Sequence, residues 1–242
     1  MSIFDSFVST DSMEQQQDSV GGFQLFDSDA YPAKVKTVYI THSKSGAMAA
    51  NVVLDINNRE YKEQLWITNS EGHNFYKSKK TGNKVPLPGF TTLNDLCLCS
   101  LGKELKELDV ESRAFKIYDY DAKSEVVKQV PTIVELMDSE IIVGLIKQTV
   151  DKTTKNDNGD YVPTGETREE NIIDKIFHAA THKTVNEAKS QVEEAQFYDK
   201  WLEKNKGNVR NRAKGIKEGA SGRPSTTTTT ATTQPKPKSL FG

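Results

Sequence analysis

Cysteine is scarce in this 242-residue chain, long apolar runs are absent, and the first 30 residues carry no Lys or Arg. Each absence excludes something. Two cysteines, Cys97 and Cys99, are too few for a disulfide framework or a four-cysteine zinc site. Next-but-one neighbours are also poorly placed to bond each other, so the pair reads as reduced packing residues. No apolar stretch approaches the roughly 20 residues that span a bilayer, and the N-terminus lacks the basic start and apolar stretch of a secretory signal. A cytoplasmic protein with no membrane partner is expected.

Catalytic signatures are missing as well. His178 and His182 stand four apart but straddle an apparent strand-to-helix junction, and no Glu follows His178 as in a zinc hydrolase. Gly82-Asn83-Lys84 lacks the flanking residues of a phosphate-binding loop, and no Gly-x-Gly-x-x-Gly or Gly-x-Ser-x-Gly occurs. The neighbouring acids Asp119 with Asp121, and Asp157 with Asp160, fall at turns, where Asp serves local geometry. Magnesium-dependent cleavage by the second pair is the residual enzymatic reading. The expectation is a protein that is not an enzyme and holds no metal or other cofactor.

What is present is a gradient of charge. The whole chain sums to −2, but residues 1–30 hold six acids and no Lys or Arg, so the remainder sums to +4. Aromatic and aliphatic anchors, Phe4, Phe7, Phe23 and Phe26 among them, interrupt this acidic stretch as in disordered arms that dock on partners. From Lys206 to Arg223 the sign reverses, and Gly219–Lys238 has the Thr- and Pro-rich composition of a linker. It ends in an apolar tip, Leu240-Phe241-Gly242. At about 150 residues per domain, one domain with flexible arms is expected.

Between the arms the dominant period is two, the mark of half-buried strands. Met48, Ala50, Val52, Leu54 and Ile56 alternate with polar positions, Asn57-Asn58 is a hairpin signal, and Tyr61, Leu65 and Ile67 alternate with Lys62, Gln64, Trp66 and Thr68. That parity puts Trp66 on the wet face beside Lys62, as a ligand platform or under a covering segment. Phe75, Tyr76, Lys77, Lys79, Lys80 and Lys84 crowd a Gly-containing loop, a polyanion site or a solvated tip. Thr91–Leu101 reads as a short helix capped by Thr91 or Thr92. In Arg113–Tyr120, Lys116, Tyr118 and Tyr120 share one face opposite Phe115 and Ile117, and Ser124–Val130 is placed to pair with it. Glu140–Val150 is apolar on both faces at its start, a central strand in which Gly144 would permit the coil of a small barrel. Asp151–Thr167, with Lys152, Lys155 and Tyr161, reads as an extended hairpin loop. Thr184-Val185-Asn186-Glu187 is a capping box that opens a helix running to Gly207.

Lysines release counterions from a phosphate backbone and aromatic rings stack on any base, so this combination suits sequence-tolerant binding of single strands. The order Val35-Lys36-Thr37-Val38-Tyr39-Ile40, Ser45-Gly46-Ala47, Leu65-Trp66-Ile67-Thr68-Asn69, Leu87-Pro88-Gly89-Phe90, Pro163-Thr164-Gly165-Glu166-Thr167-Arg168 and Asp174-Lys175-Ile176-Phe177 resembles single-stranded DNA-binding proteins of tailed bacteriophages. The likeness is one of overall pattern and covers about residues 30–215. It implies a mainly β fold with some α, an OB-type small barrel over residues 31–182 with a short helix. The barrel is followed by a C-terminal helix over 183–207 and flanked by disordered arms, acidic at 1–30 and basic, Thr/Pro-rich at 208–242.

The resemblance implies coating of single-stranded DNA during phage replication, recombination and repair in the host cytoplasm. In some phages it also implies coactivation of host RNA polymerase. Many such proteins end in an acidic tip that recruits partners, whereas here Lys236 and Lys238 precede Leu240 and Phe241. The partner-binding candidates are therefore Phe4, Phe7, Phe23 and Phe26 together with Leu240 and Phe241. The nucleic-acid candidates are Lys62, Trp66, Phe75, Tyr76, Lys77, Lys79, Lys80, Lys84, Lys116, Tyr118, Tyr120, Lys152, Lys155 and Tyr161. The competing expectation is a protein–protein adaptor whose arms recruit polymerase or replisome components.

Overall fold

The computed structural model describes residues 24–119, 123–157 and 159–215. Along the chain these form β1 (Asp29–His42), β2 (Met48–Ile56), β3 (Arg59–Trp66), β4 (Phe75–Lys77), β5 (Lys84–Pro86), α1 (Pro88–Leu101), β6 (Glu111–Asp119), β7 (Ser124–Thr132), β8 (Glu140–Lys155), β9 (Tyr161–His178), α2 (Val185–Lys189), α3 (Phe197–Asn205) and β10 (Val209–Asn211). The fold is mainly β with few helices.

Asn57 and Asn58 both take positive φ, 52° and 62°, the conformation that matches a two-residue turn to strand twist, and β2 and β3 pair across it from Ile56↔Arg59 to Ala49↔Trp66. The apolar even positions of β2 then fall on one face, as their period requires. β1 pairs antiparallel with β2 along one edge. Its other edge pairs with β8 over Asp29–Lys34 and touches β7 at Tyr39↔Thr132. β8 likewise divides one edge between β1 and the parallel β10, while its other edge pairs with β9 from Ile141↔His178 to Lys155↔Tyr161.

The order β9-β8-β1-β2-β3 ends in two edges that no ladder joins among the described residues. The sheet nevertheless curls on itself, because Tyr61 and Leu65 at one end share a core with Ile173 and Ile176 at the other. Leu93, Leu96, Cys97 and Cys99 of α1 enter the same core, and α1 lies across β9, β3 and β8. A fully buried Leu contributes about 1.5–3 kcal/mol, so the helix is held by its apolar side. Both thiols are free, and burial pushes each up to about 12.

β8 is buried on both faces, as a central strand should be. Ile141, Val143 and Leu145 face the main core, while Ile142 and Ile146 join Phe177 and Trp201 in a second one. Gly144 lies at a register shift of the β8–β9 ladder and has a second role besides the coiling expected of it. A Cβ there would stand 2.9 Å from Cζ2 of Trp201, so the glycine makes room for the indole of α3. The indole N–H donates to Asp174 at 2.8 Å, and Arg210 of β10 reaches the same carboxylate at 3.0 Å.

Several expected boundaries move. The N-terminal arm does not extend to residue 30: Phe26 and Ser28 are buried, and β1 begins at Asp29. α1 starts three residues before Thr91, at Pro88, whose fixed φ suits a first helical position, with Leu87 rather than a threonine as cap. The helix expected from 183 to 207 is two helices. The Thr184 capping box opens α2, and the chain then turns through Gln191 at φ 53°. The Glu187 carboxylate accepts the backbone N–H of Thr184 at 3.0 Å and those of Gln196 and Phe197 at 2.7 Å each, so one side chain ties α2 to the start of α3. The basic tail is not wholly outside the fold either, since Val209–Asn211 adds a strand to β8. Asp151–Thr167 is no open loop, because the β8–β9 ladder continues through it to Lys155↔Tyr161.

Candidate nucleic-acid interface

The register of β3 sorts its side chains into two rows. Tyr61 and Leu65 are buried and turn inward with Glu63, whereas Lys62, Gln64 and Trp66 face out. Across the ladder, Trp66 lies beside Ala49 and Gln64 beside Asn51, to which its amide donates at 3.2 Å. Asn51 in turn lies beside Tyr39 of β1. Trp66 is 46% exposed, a large apolar ring left open to solvent on a sheet face. Its backbone is backed by Gly89 at the start of α1, where a Cβ would collide with the Trp66 carbonyl. The short helix thus seats against the end of β3 that carries the ring.

A second aromatic station lies on the same face. Phe115 of β6 stacks on Tyr39, with ring centroids 5.3 Å apart and planes 18° from parallel. Offset stacking of this kind is worth about 0.5–1.5 kcal/mol beyond burial, and it anchors the β6–β7 hairpin over β1. Burial raises the Tyr39 hydroxyl above its ordinary range, and the nearby Lys62 charge opposes that shift. Lys62 itself pairs with Glu60 at 2.8 Å, and Glu60 also binds Lys36 at 2.9 Å, so one acid serves two cations.

Neither Tyr39 nor Phe115 was among the sequence candidates. A β-bulge between Val35 and Thr37 shifts the parity of β1, so that Val35, Val38 and Ile40 all face the core and Tyr39 faces out. Simple alternation cannot show this. Alternation in β6 sets Phe115 with Ile117 on the side opposite Lys116 and Tyr118. The pleat does oppose it to Lys116 and Tyr118, but it is the Phe115 row that meets Tyr39. Lys116 and the half-exposed Tyr118 therefore lie on the opposite side of the hairpin. Tyr120 falls outside the described residues.

The lysine-rich loop is a small hairpin of its own, β4 paired with β5 at Phe75↔Pro86, Tyr76↔Val85 and Lys77↔Lys84. It divides the aromatics that sequence grouped together. Lys84 Nζ lies over the Phe75 ring at 4.4 Å, while Tyr76, 50% exposed, projects from the other side with Val85. Lys77, Lys79 and Lys80 are exposed, and none forms an ion pair among the described residues. The hairpin leaves β3 directly after Trp66 through a loop fastened back on β2: Ile67 N–H donates to the Met48 carbonyl at 3.0 Å. Trp66 and this cationic hairpin are therefore at one end of the sheet.

Lys152, Lys155 and Tyr161 are at the other end. Ile173 of β9 meets Glu63, and Arg168–Asn171 line a cavity with Glu60, Tyr61 and Lys62, so the earlier part of β9 runs past the β2–β3 turn, away from Trp66. Lys152 pairs with Glu166 at 2.9 Å, and Lys155 lies 5.3 Å over the ring of Tyr161. Asp151, Asp157, Asp160 and Glu166 outnumber the two lysines over residues 151–167. This hairpin is acidic, not basic.

The partner-binding candidates fare differently. Phe26 is 7% exposed and packs edge-on against Tyr31 and Tyr61, with the Arg59 guanidinium 4.1 Å above it. It is a core residue, because its backbone is clasped by Asn171, which donates to the Phe26 carbonyl at 2.7 Å and accepts its N–H at 2.8 Å. Phe4, Phe7, Phe23, Leu240 and Phe241 lie outside the described residues. No group of three or more His, Cys, Asp or Glu side chains among the described residues is arranged to hold a metal ion, and no helix there is long and apolar enough to cross a membrane. No protein-family model matches the chain, and no curated protein sequence matches it.

Proposed function

We propose that this protein binds single-stranded DNA through the outer face of β1–β3, in an OB-type arrangement of the curled sheet. The observation that carries the reading is the set of aromatics and lysines on this face. It holds exposed Trp66, the stacked Tyr39–Phe115 pair and Lys62, with the exposed lysines of the β4–β5 hairpin at its Trp66 end. Base stacking contributes about 1–3 kcal/mol per base without regard to sequence, and lysines beside the rings meet the phosphates. The strand order, with a helix following β3 and a long hairpin returning to β1, supports the OB-type description. Coating of DNA during phage replication, recombination and repair, in the host cytoplasm, belongs to the same proposal.

Titration with oligo-dT tests it. Trp201 is 3% exposed, so quenching by a stacked base reports on Trp66. Saturable quenching that weakens as salt rises is expected; its absence at low salt overturns the reading. A protein-recruiting role is the second reading, favoured by the acidic β8–β9 hairpin, whose charge pairs, Lys152–Glu166 between the strands and Arg168–Glu170 along β9, leave little for a phosphate backbone. An RNA polymerase or replication protein captured equally well by wild type and by a face variant that no longer binds DNA would support it.

A further inference from the structure

β3 is an edge strand whose outer row forms the proposed binding face and whose inner row faces the core. Its open edge has no ladder to β9 among the described residues. Two devices stand in for one. Residues 24–27 cross the gap, held by the Asn171 amide on one side and by the Arg59 guanidinium, which donates to the Gln24 carbonyl, on the other. Beside that strap, a single oxygen of Glu63 accepts the Ile173 backbone N–H at 2.7 Å and the Tyr61 hydroxyl at 2.6 Å. The first of these joins β3 directly to β9.

We propose that Glu63 is a positioning residue for nucleic-acid binding: its carboxylate fixes β3 against β9 and thereby holds Lys62, Gln64 and Trp66 in the register that meets the strand. The proposal rests on the single-strand reading above. A strand clamped at only one edge is free to twist, and every outer-row side chain twists with it. Hydrogen bonds to an ionised acceptor are roughly twice as strong as neutral ones, so the ionised clamp is the tight one.

The groups that bear on Glu63 are Tyr61 on its own strand and Glu170 on β9, which is itself held by Arg168 at 3.0 Å and by Gln148 at 2.9 Å. The strap presents Phe26 to Tyr61 and no charge to the carboxylate. Burial raises the Glu63 carboxyl from 4.5 to about 7, the Tyr61 and Ile173 hydrogen bonds oppose this, and Glu170 adds to it. The clamp therefore changes protonation near neutrality. A carboxyl whose value in the fold exceeds its free value costs stability when ionised; that cost is absent below 4.5 and complete above about 7. Stability and register thus respond to the proton in opposite senses, which separates a positioning role from a merely structural one.

The test uses the full chain with a labelled oligo-dT, measuring anisotropy from about pH 5.5 to about pH 8.5 at fixed ionic strength, for wild type, Glu63→Gln and Tyr61→Phe, with thermal melts alongside. Gln keeps the acceptor without the charge. Wild type is expected to bind several-fold tighter than Glu63→Gln at the alkaline end and equally at the acid end, while Glu63→Gln melts no lower at the alkaline end. Tyr61→Phe removes a bond that favours the ionised form, so its convergence with Glu63→Gln moves to higher pH. A ratio that is flat across the range, or a Glu63→Gln protein that melts lower at alkaline pH, overturns the positioning role. Absence of saturable binding by wild type overturns the single-strand reading instead.

Discussion

Two hairpins leave the same curled sheet, and they are built on opposite electrostatic plans. The β4–β5 hairpin follows Trp66 and carries four lysines, none with an acid partner among the described residues; Lys84 lies over the Phe75 ring instead. The outer β8–β9 hairpin is longer and as exposed, yet it sets Lys152 against Glu166 and Arg168 against Glu170, and its acids exceed its lysines. Both contain an aromatic next to a lysine. The difference lies in what remains after local pairing: one leaves unneutralised charge beside an open aromatic platform, and the other cancels its own. Proximity of Lys and Tyr in sequence does not distinguish them, whereas cross-strand register does.

The largest expected effect tests that contrast at its centre. Trp66→Ala or Tyr39→Ala should weaken binding of oligo-dT by about 1–3 kcal/mol, the worth of one stacked base, while Tyr161→Ala on the acidic hairpin leaves the affinity unchanged. Fluorescence anisotropy of a labelled oligonucleotide reads all three. Equal losses at Tyr161 and Trp66 would break the distinction and return the acidic hairpin to the interface.

A comparable cost, but in stability alone, is expected at the base of the acidic hairpin. Gly144→Ala places a methyl 2.9 Å from Cζ2 and 3.0 Å from Cη2 of Trp201, a side chain too buried to move aside freely. Overpacking of this kind costs about 1–3 kcal/mol and should lower the thermal midpoint. Oligo-dT affinity well below that midpoint should stay at the wild-type value, because the second core lies behind β8 and not behind Trp66. A matching loss of affinity would show that the two regions are coupled.

Much of the first region is legible from residue pattern. The alternation in β2 and β3 and the Asn57-Asn58 turn are local features, and the outward position of Trp66 follows from them. Tyr39 is hidden by one inserted residue, since the bulge at Val35/Thr37 reverses which side chains face water. Phe26 is hidden for another reason: it stands among the spaced apolar residues of an acidic stretch, and the amide that clasps it is 145 positions away. The outer β8–β9 hairpin reads in sequence as an extended hairpin loop and not as paired strands, because both of its faces are wet and a strand with two wet faces shows no alternation. The Glu63 clamp is opaque for the same reason as Phe26, as Ile173 lies 110 positions away.

A finer effect separates the two sets of cations by salt. Each lysine that meets a phosphate of a single strand contributes about 0.7 to the slope of log affinity against log salt. Replacing Lys77, Lys79 and Lys80 by Ala should flatten that slope by an amount that counts their contacts, measured as affinity at several salt concentrations. An unchanged slope would move the phosphate path off the β4–β5 hairpin, toward Lys62 and the β6–β7 side.

The smallest effect is expected where the acidic hairpin neutralises itself. Lys152 and Glu166 are exposed partners, and an exposed pair gains little because water screens it. Reversing both, with Lys152→Glu and Glu166→Lys together, keeps the net charge and the cross-strand attraction. The salt slope, the affinity for oligo-dT and the thermal midpoint should all match wild type. Lys152→Glu alone replaces that ion pair by two neighbouring acids and raises the negative charge of the hairpin. If that hairpin lies clear of DNA, the single change still leaves the affinity at wild type, because the added charge is more than a screening length from the strand at ordinary salt. If DNA runs along it, the single change weakens binding and the double change restores it, so the pair of variants reads the path of the strand from a site where neither is expected to disturb the fold.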